Sequence, residues 1–117
     1  MMPAIQTALS GLTGFSKKIE VAAHNVANVN TDGFKNSQVE FVEVETGGVL
    51  PVVQKDNAAG PMVLKDIGQG PEQVELSNAD LADEAVNLII GQRGFEANLQ
   101  ALKTADAVLG SILDIWK

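Results

Sequence analysis

The sequence predicts a mainly α-helical protein with a small β region, in which long N- and C-terminal helices flank a short strand and loop segment. Apolar residues recur at heptad spacing at both ends of the 117-residue chain, and β-forming residues broken by Gly and Pro lie between them. The chain therefore divides into a discontinuous terminal helical region, 1–35 and 72–117, and a small β and loop insert, 36–71.

The first predicted helix spans Pro3–Asn28, about 39 Å at 1.5 Å per residue. Its apolar seam has alternating spacings of three and four residues and comprises Ile5, Ala8, Leu12, Phe15, Ile19, Ala22 and Val26. Asn25, Asn28 and Asn30 precede Thr31-Asp32-Gly33, a run that ends helices and favours a turn with Gly33 at positive φ. Phe34 is expected to fold back as an apolar anchor, with Lys35 near the negative helix end.

The middle segment indicates at most a small sheet or a pair of hairpins. Residues 39–45 and 49–53 are rich in β-formers and are separated by Gly47-Gly48, while Pro51 favours an edge strand. A turn at 59–61 precedes a third apolar run, 62–64, and the Gly- and Pro-rich stretch 68–71 is interpreted as a linker.

The second predicted helix spans Ser77–Trp116, about 55 Å, with Ser77 and Asp80 resembling a capping box. Its predicted seam comprises Leu81, Ala85, Leu88, Gln92, Phe95, Leu99, Leu102, Asp106, Leu109, Leu113 and Trp116. A second stripe comprises Val86, Ile89, Ile90, Ala101, Ala105, Val108 and Ile112. Gln92 and Asp106 either fix the register of the seam or lie at its wet edge.

The unequal helix lengths imply assembly. One chain of this size cannot bury both stripes of a 55 Å helix, so other chains are expected to cover them. We therefore interpret the two terminal ranges as an assembly region. The alternative is a helix kinked at Gly91 or Gly94 that folds into a compact hairpin bundle.

Composition argues against several functional classes. The net charge is −7 without a basic patch, so nucleic acid is an unfavourable partner, and His24 with no Cys cannot form a zinc site. Glu40, Glu43 and Glu45 lack the spacing of a calcium loop, and 68–70 lacks the Lys-Ser/Thr of a phosphate loop. No catalytic residue, cofactor or small-molecule substrate is expected. The N-terminus lacks a cleavable signal-peptide pattern, and no stretch is long and apolar enough to span a membrane.

Both ends resemble the bacterial flagellar axial proteins, the rod and hook subunits. Residues 25–34 match that family's N-x-A-N-x-x-T-x-G-F/Y element, after Ala8-Leu9-Ser10-Gly11-Leu12. The C-terminal match includes residues 75–81, 86–89 and 92–98. The motif residues are Asn25, Asn28, Asn30, Thr31, Gly33, Phe34, Ser77, Asn78, Asp80, Arg93 and Asn98.

The resemblance implies a structural rod subunit that self-assembles through its terminal helices. Its expected partners are itself, other rod and hook subunits and the flagellar type III export apparatus. Its expected location is the basal body in the cell envelope and periplasm, reached without a cleaved signal peptide. The short insert is most like that of a proximal-rod subunit. A rod-protein paralogue that acts as a helical adaptor or export-related partner, outside the tube, remains open. The seam residues assigned to assembly are Ile5, Leu12, Phe15, Ile19, Val26, Leu88, Phe95, Leu99, Leu102, Leu109 and Leu113.

Overall fold

The computed structural model describes residues 2–116 and has two long helices around four short strands. Positions 1 and 117 of the predicted ranges lie outside the described residues. The elements are α1 (Met2–Ala27), β1 (Ser37–Glu43), β2 (Val49–Lys55), β3 (Met62–Asp66), β4 (Pro71–Glu75) and α2 (Leu81–Ile115). The predicted fold class, mainly helical with a small β region between long terminal helices, is confirmed.

The strands form two separate antiparallel hairpins. In the first, β1 pairs with β2, and Phe41 lies opposite Pro51 on a two-stranded ribbon that has only edges. In the second, β3 pairs with β4, joined by a turn in which Gly68 and Gly70 have φ of 94° and 103°. The prediction of a linker at 68–71 was therefore wrong: this stretch turns the second hairpin.

Strand β4 was missed because its five residues include a single large aliphatic side chain and show no alternation. Pairing with β3 therefore determines its conformation. Residues 72–75 consequently lie in a strand, although they fall within the range assigned to the C-terminal helical region.

The boundary of α2 corrects the predicted cap. Asp80 is the N-cap, and its Oδ1 accepts a hydrogen bond from the Ala82 N–H at 2.9 Å. The Ser77 Oγ instead accepts from the Ala79 N–H at 3.0 Å, before the helix begins. Helix α2 continues without a break through Gly91 and Gly94, so the alternative of a kinked helix was wrong.

Helices α1 and α2 pack antiparallel, and α1 side chains approach the α2 backbone most closely at Gly91 and Gly94. A Cβ atom placed on Gly91 would come within 2.7 Å of Ile19 Cγ1, and one on Gly94 would collide with the Phe15 ring. Glycine at both positions therefore lets large α1 side chains approach the α2 backbone.

The row of α2 that faces α1 differs from the predicted seam at every second position. Its members, all buried or half-buried, are Glu84, Leu88, Gly91, Phe95, Asn98, Leu102, Ala105 and Leu109. Gln92 and Asp106 are exposed, which agrees with the alternative that they lie at the wet edge of the seam and not with a buried role in fixing its register. The glycine and alanine of the observed row accommodate the side chains of α1, whereas the longer Gln92 side chain lies outside.

The molecule is elongated, and its longest dimension exceeds the length of α2, which is about 52 Å at 1.5 Å per residue. Its principal extents are 80 × 24 × 17 Å and its radius of gyration is 20.7 Å, against about 13 Å for a compact domain of this length. The antiparallel pairing brings Met2 level with about residue 107, since both helices rise 1.5 Å per residue. The last two turns of α2 therefore extend beyond the start of α1. Within residues 2–116, neither helix combines the length and hydropathy that a membrane span requires.

Candidate functional site

A polar junction joins α1, β1 and the start of α2. Asn25 is completely buried, and its Nδ2 donates to the Ser37 carbonyl at 2.7 Å and to Glu84 Oε1 at 3.0 Å. Its Oδ1 accepts from the Ser37 N–H at 3.1 Å. The Asn25 amide therefore bonds the backbone of Ser37 as a neighbouring strand would. It also connects β1 to α1 and α2. Because Glu84 is only 4% exposed, this contact also satisfies part of a buried carboxylate.

Asn36 and Asn78 form a second polar contact, which connects the two hairpins to the N-terminal side of α2. Asn78 Oδ1 accepts from the Asn36 N–H at 2.7 Å, and Asn78 Nδ2 donates to the carbonyls of Asp56 and Ala58 at 2.9 Å. The Asn78 N–H also donates to the Phe34 carbonyl. The family-motif residue Asn78 therefore holds three connecting segments together.

The turn after α1 adopts the geometry that its sequence predicts. Thr31 Oγ1 donates to Asn28 Oδ1 at 3.1 Å, and the Phe34 N–H donates to the Thr31 carbonyl at 3.2 Å. Gly33 has φ of 71°, as expected, and its N–H donates to the Glu75 carbonyl at 2.8 Å. Phe34 folds back onto the end of α1 as an anchor, with its ring centroid 5.6 Å from that of His24.

Two ion pairs attach the second hairpin to this turn. Lys35 pairs with Glu75 and also donates to the Ala58 carbonyl at 2.9 Å, a more specific role than the predicted interaction with the helix end. The hydrogen bond from the Lys35 ammonium, followed by that from the Gly60 N–H, lowers the pKa of Glu75 below its ordinary value of 4.5. Lys65 donates to both Asp32 oxygens at 2.9 Å.

The remaining motif residues serve local roles or are exposed. Arg93 Nη1 pairs with Glu96 at 3.3 Å, and Asn98 Nδ2 donates to the Gly94 carbonyl at 2.8 Å. The Asn98 amide also lies close to Gly11, where a Cβ atom would collide with it. Asn30 is exposed.

Most seam residues assigned to assembly are half-buried. On α1 these are Ile5, Leu12, Phe15, Ile19 and Val26, and on α2 they are Leu88, Phe95, Leu99, Leu102 and Leu109. Leu113 is exposed. The α1–α2 interface thus accounts for much of the α1 seam within one chain.

Two apolar clusters on α2 are left uncovered. The proximal apolar cluster comprises Leu81, Val86, Ile89 and Ile90. The distal apolar cluster comprises Val108, Ile112, Leu113, Ile115 and Trp116, with Ile115 and Trp116 more than 80% exposed. The prediction that one chain cannot bury both stripes agrees with this exposure, although Ala105 of the second stripe is buried against α1. Grouped apolar exposure of this kind is typical of a surface that contacts another protein.

Sequence reasoning missed Asn36, Glu75 and Glu84 as junction residues. Glu84 carries no signal in the sequence, because its partner Asn25 is 59 residues away and both rows of α2 have the same spacing. Asn36 and Glu75 carry none, because their partners are 42 and 40 residues away in the chain.

Between residues 2 and 116, no group of three or more His, Asp or Glu side chains is placed to hold a metal ion. His24 is exposed, and its ring packs edge-on to that of Phe34.

Both ends of the chain match flagellar protein families. Residues 5–35 match the family described as "Flagella basal body rod protein", and residues 72–115 match "Flagellar basal body rod FlgEFG protein C-terminal". Together the two ranges cover more than half of the chain. The first contains the Asn25–Phe34 turn, and the second contains β4, Asn78 and nearly all of α2.

Curated relatives carry the same names. The chain is 35% identical over 74 residues to the flagellar basal-body rod protein FlgG of Bacillus subtilis, covering 60% of this chain and 26% of that protein. It is 31% identical over 70 residues to the flagellar hook protein FlgE of Borreliella burgdorferi, covering 60% and 16%. It is 40% identical over 42 residues to FlgE of Escherichia coli, covering 36% and 10%. The chain thus spans about a quarter or less of the length of these relatives.

Proposed function

We propose, because this chain belongs to the family of bacterial flagellar rod and hook proteins, that it is a structural subunit of the flagellar basal-body rod. In this proposal the chain assembles through its terminal helices. It has no catalytic role and no cofactor.

The observation that carries the proposal is the uncovered apolar surface of α2. The proximal apolar cluster lies off the row of α2 that packs against α1, and the distal apolar cluster lies where α2 extends beyond the start of α1. Neighbouring subunits that cover these clusters would remove apolar area from water at about 25 cal/mol per Å². The α1–α2 pair is then the unit that packs, and the polar junction sets the direction of the two hairpins relative to it.

We also propose that the chain has two functional parts. Residues 1–35 and 72–117 form the assembly region, and 36–71 form an insert, with the qualification that 71–75 pair as β4 with β3. The insert between the two helices is short, which supports a place in the proximal rod. The proposed partners are further copies, other rod and hook subunits, and the flagellar export apparatus; the proposed location is the basal body.

Imaging of purified basal bodies that carry a labelled copy of this chain tests the proposal. We expect label within the rod and expect the purified chain to polymerise in a salt-dependent manner. An unlabelled rod, together with a stable small oligomer that binds a rod subunit, would instead support the adaptor or export-related alternative.

A further inference from the structure

An acidic groove lies where α1, the start of β1 and the first turns of α2 meet. It has a volume of about 380 Å³, and its lining includes the carboxylates of Asp56, Asp80, Asp83 and Glu84 with a single ammonium from Lys18. Four carboxylates against one ammonium leave the groove with excess negative charge.

The groove also contains a buried acceptor without a donor. Asn36 lines it and is 6% exposed, and its Oδ1 accepts no hydrogen bond from any described residue. The orientation of this amide is fixed, because its Nδ2 donates to both the Asn78 carbonyl and Asn78 Oδ1 at 3.1 and 3.0 Å. Buried acceptors are normally satisfied, so this oxygen lacks a donor that the described residues do not supply.

The carboxylates have capacity to accept further hydrogen bonds. Asp56 and Asp80 each accept one backbone N–H in a local turn, although a carboxylate has about four acceptor sites. Among the described residues, Asp83 forms no ion pair or hydrogen bond with another side chain. The groove therefore presents acceptors in several directions, and the described acids are not grouped to chelate a metal ion.

We propose that this groove receives an arginine side chain from a neighbouring flagellar protein. A guanidinium carries five N–H donors in a planar fork and is more weakly hydrated than an ammonium, which suits a partly buried site with several separated acceptors. The inference rests on the proposed function, because the neighbour is a subunit that packs beside α2.

A different protein is the favoured source of this arginine. Arg93 is the one arginine in the sequence, and it is already paired with Glu96 on its own helix. The net charge of −7 also opposes approach of a second copy to an acidic groove and favours a basic partner.

The test is a nuclear magnetic resonance titration of the full ¹⁵N-labelled chain. The probe is the peptide acetyl-Gly-Arg-Gly-amide, and the control is the same peptide with citrulline, which keeps the shape but removes the charge. The side-chain amides of Asn36, Asn78 and Asn87 line the groove and report directly on occupancy. We expect saturable shifts with the arginine peptide and an affinity for the citrulline peptide at least about fivefold weaker.

Matched variants locate the effect. Asp83→Asn should weaken binding of the arginine peptide by a similar factor. Asp106→Asn, an exposed change on the same helix, should leave binding unchanged. Equal shifts with citrulline, no shifts at all, or wild-type affinity in Asp83→Asn would each overturn the proposal. Groove shifts that depend on protein concentration and vanish in Arg93→Gln would identify a second copy as the occupant and would also overturn it.

This titration is independent of the rod assignment. A chain that is found in rods but does not respond to the arginine peptide would remove the groove proposal and leave the function standing. A chain that binds the peptide but is absent from labelled basal bodies would leave the groove proposal standing and remove the proposed function.

Discussion

At the residue scale, Asn25 shows why an amide occupies a fully buried position in the family motif. Its Nδ2 donates to the Ser37 carbonyl and the Glu84 carboxylate, while its Oδ1 accepts from the Ser37 N–H. Neither an apolar side chain nor a carboxylate could satisfy all three contacts. The Asn-rich turn thus positions the first hairpin as well as ending α1.

Replacement of Asn25 should destabilise the chain more than replacement of a neighbouring motif asparagine. Asn25→Ala leaves the Ser37 N–H and carbonyl without partners and removes the donor to Glu84 Oε1, so we expect a loss of about 1–3 kcal/mol in the free energy of unfolding. Asn30→Ala, at an exposed position, should change it by less than about 0.5 kcal/mol. Urea unfolding followed by circular dichroism measures both, and equal midpoints for the two variants would contradict the role assigned to Asn25.

The Glu75–Lys35 pair should make stability depend on pH. Because the folded-state pKa of Glu75 lies below its ordinary 4.5, the unfolded state binds the proton more readily. The stabilisation of the folded state by the Glu75–Lys35 pair is therefore complete above pH 4.5. It is lost as the pH falls through the lower folded-state pKa of Glu75.

Glu75→Gln should remove this component of the pH dependence. We expect the variant to lose less stability than the wild type between neutral pH and pH below 4.5, as measured by thermal unfolding. Glu72→Gln, on the same strand and exposed, is the control and should follow the wild-type curve. Parallel curves for wild type and Glu75→Gln would show that the pair does not influence folding.

At the scale of elements, α2 uses glycine in two different ways. Gly91 and Gly94 admit Ile19 and Phe15 against the helix backbone, so glycine is required there for packing. At Gly110 an added Cβ would meet no atom within 4 Å. The same residue type should therefore respond in opposite directions to the same substitution.

Gly94→Ala should destabilise the helix pair, and Gly110→Ala should not. The added methyl group at Gly94 collides with the Phe15 ring, and overpacking of this kind costs about 1–3 kcal/mol. Gly110→Ala should be neutral or stabilising by up to about 1 kcal/mol, because alanine is the better helix former. Denaturant midpoints of the two variants provide the comparison, and a stabilised Gly94→Ala would refute the close-packed interface.

At the scale of the whole molecule, α2 carries one packed row and two uncovered apolar clusters. The row from Glu84 to Leu109 packs on α1, and the proximal apolar cluster lies off this row. Leu113 continues the row four residues past Leu109 and is exposed because it lies beyond the start of α1. Leu109 is half-buried, so a charge there would disturb packing within the chain as well as assembly. Leu113, at 58% exposure, distinguishes the two effects more cleanly.

Leu113→Lys should give a folded protein that does not support rod assembly. A cation near the C-terminal end of a helix is favourable, whereas an unpaired charge buried at a subunit contact is strongly unfavourable. We expect a wild-type circular dichroism spectrum and loss of swimming when the variant complements a deletion strain. Lys103→Ala, an exposed change on the same helix, should swim normally. Normal swimming of Leu113→Lys would place the subunit contacts elsewhere.

The sequence by itself determined the class of the fold, the approximate limits of both helices and the turn at Gly33. These features depend on local pattern: heptad spacing, Gly and Asn at a helix end, and β-forming residues around Gly47-Gly48. The family match adds the two terminal signatures. It does not say which side chains of α2 meet α1.

Tertiary structure alone decided which row of α2 is buried, how β4 pairs and how the polar junction forms. Both rows of α2 have spacings of three and four residues, so periodicity cannot choose between them. The choice depends on how closely Ile19 and Phe15 can approach the α2 backbone, which Gly91 permits on the observed row and Gly94 permits beside it. The contact between Asn25 and Glu84 joins residues 59 positions apart, and packing of the two helices brings them together.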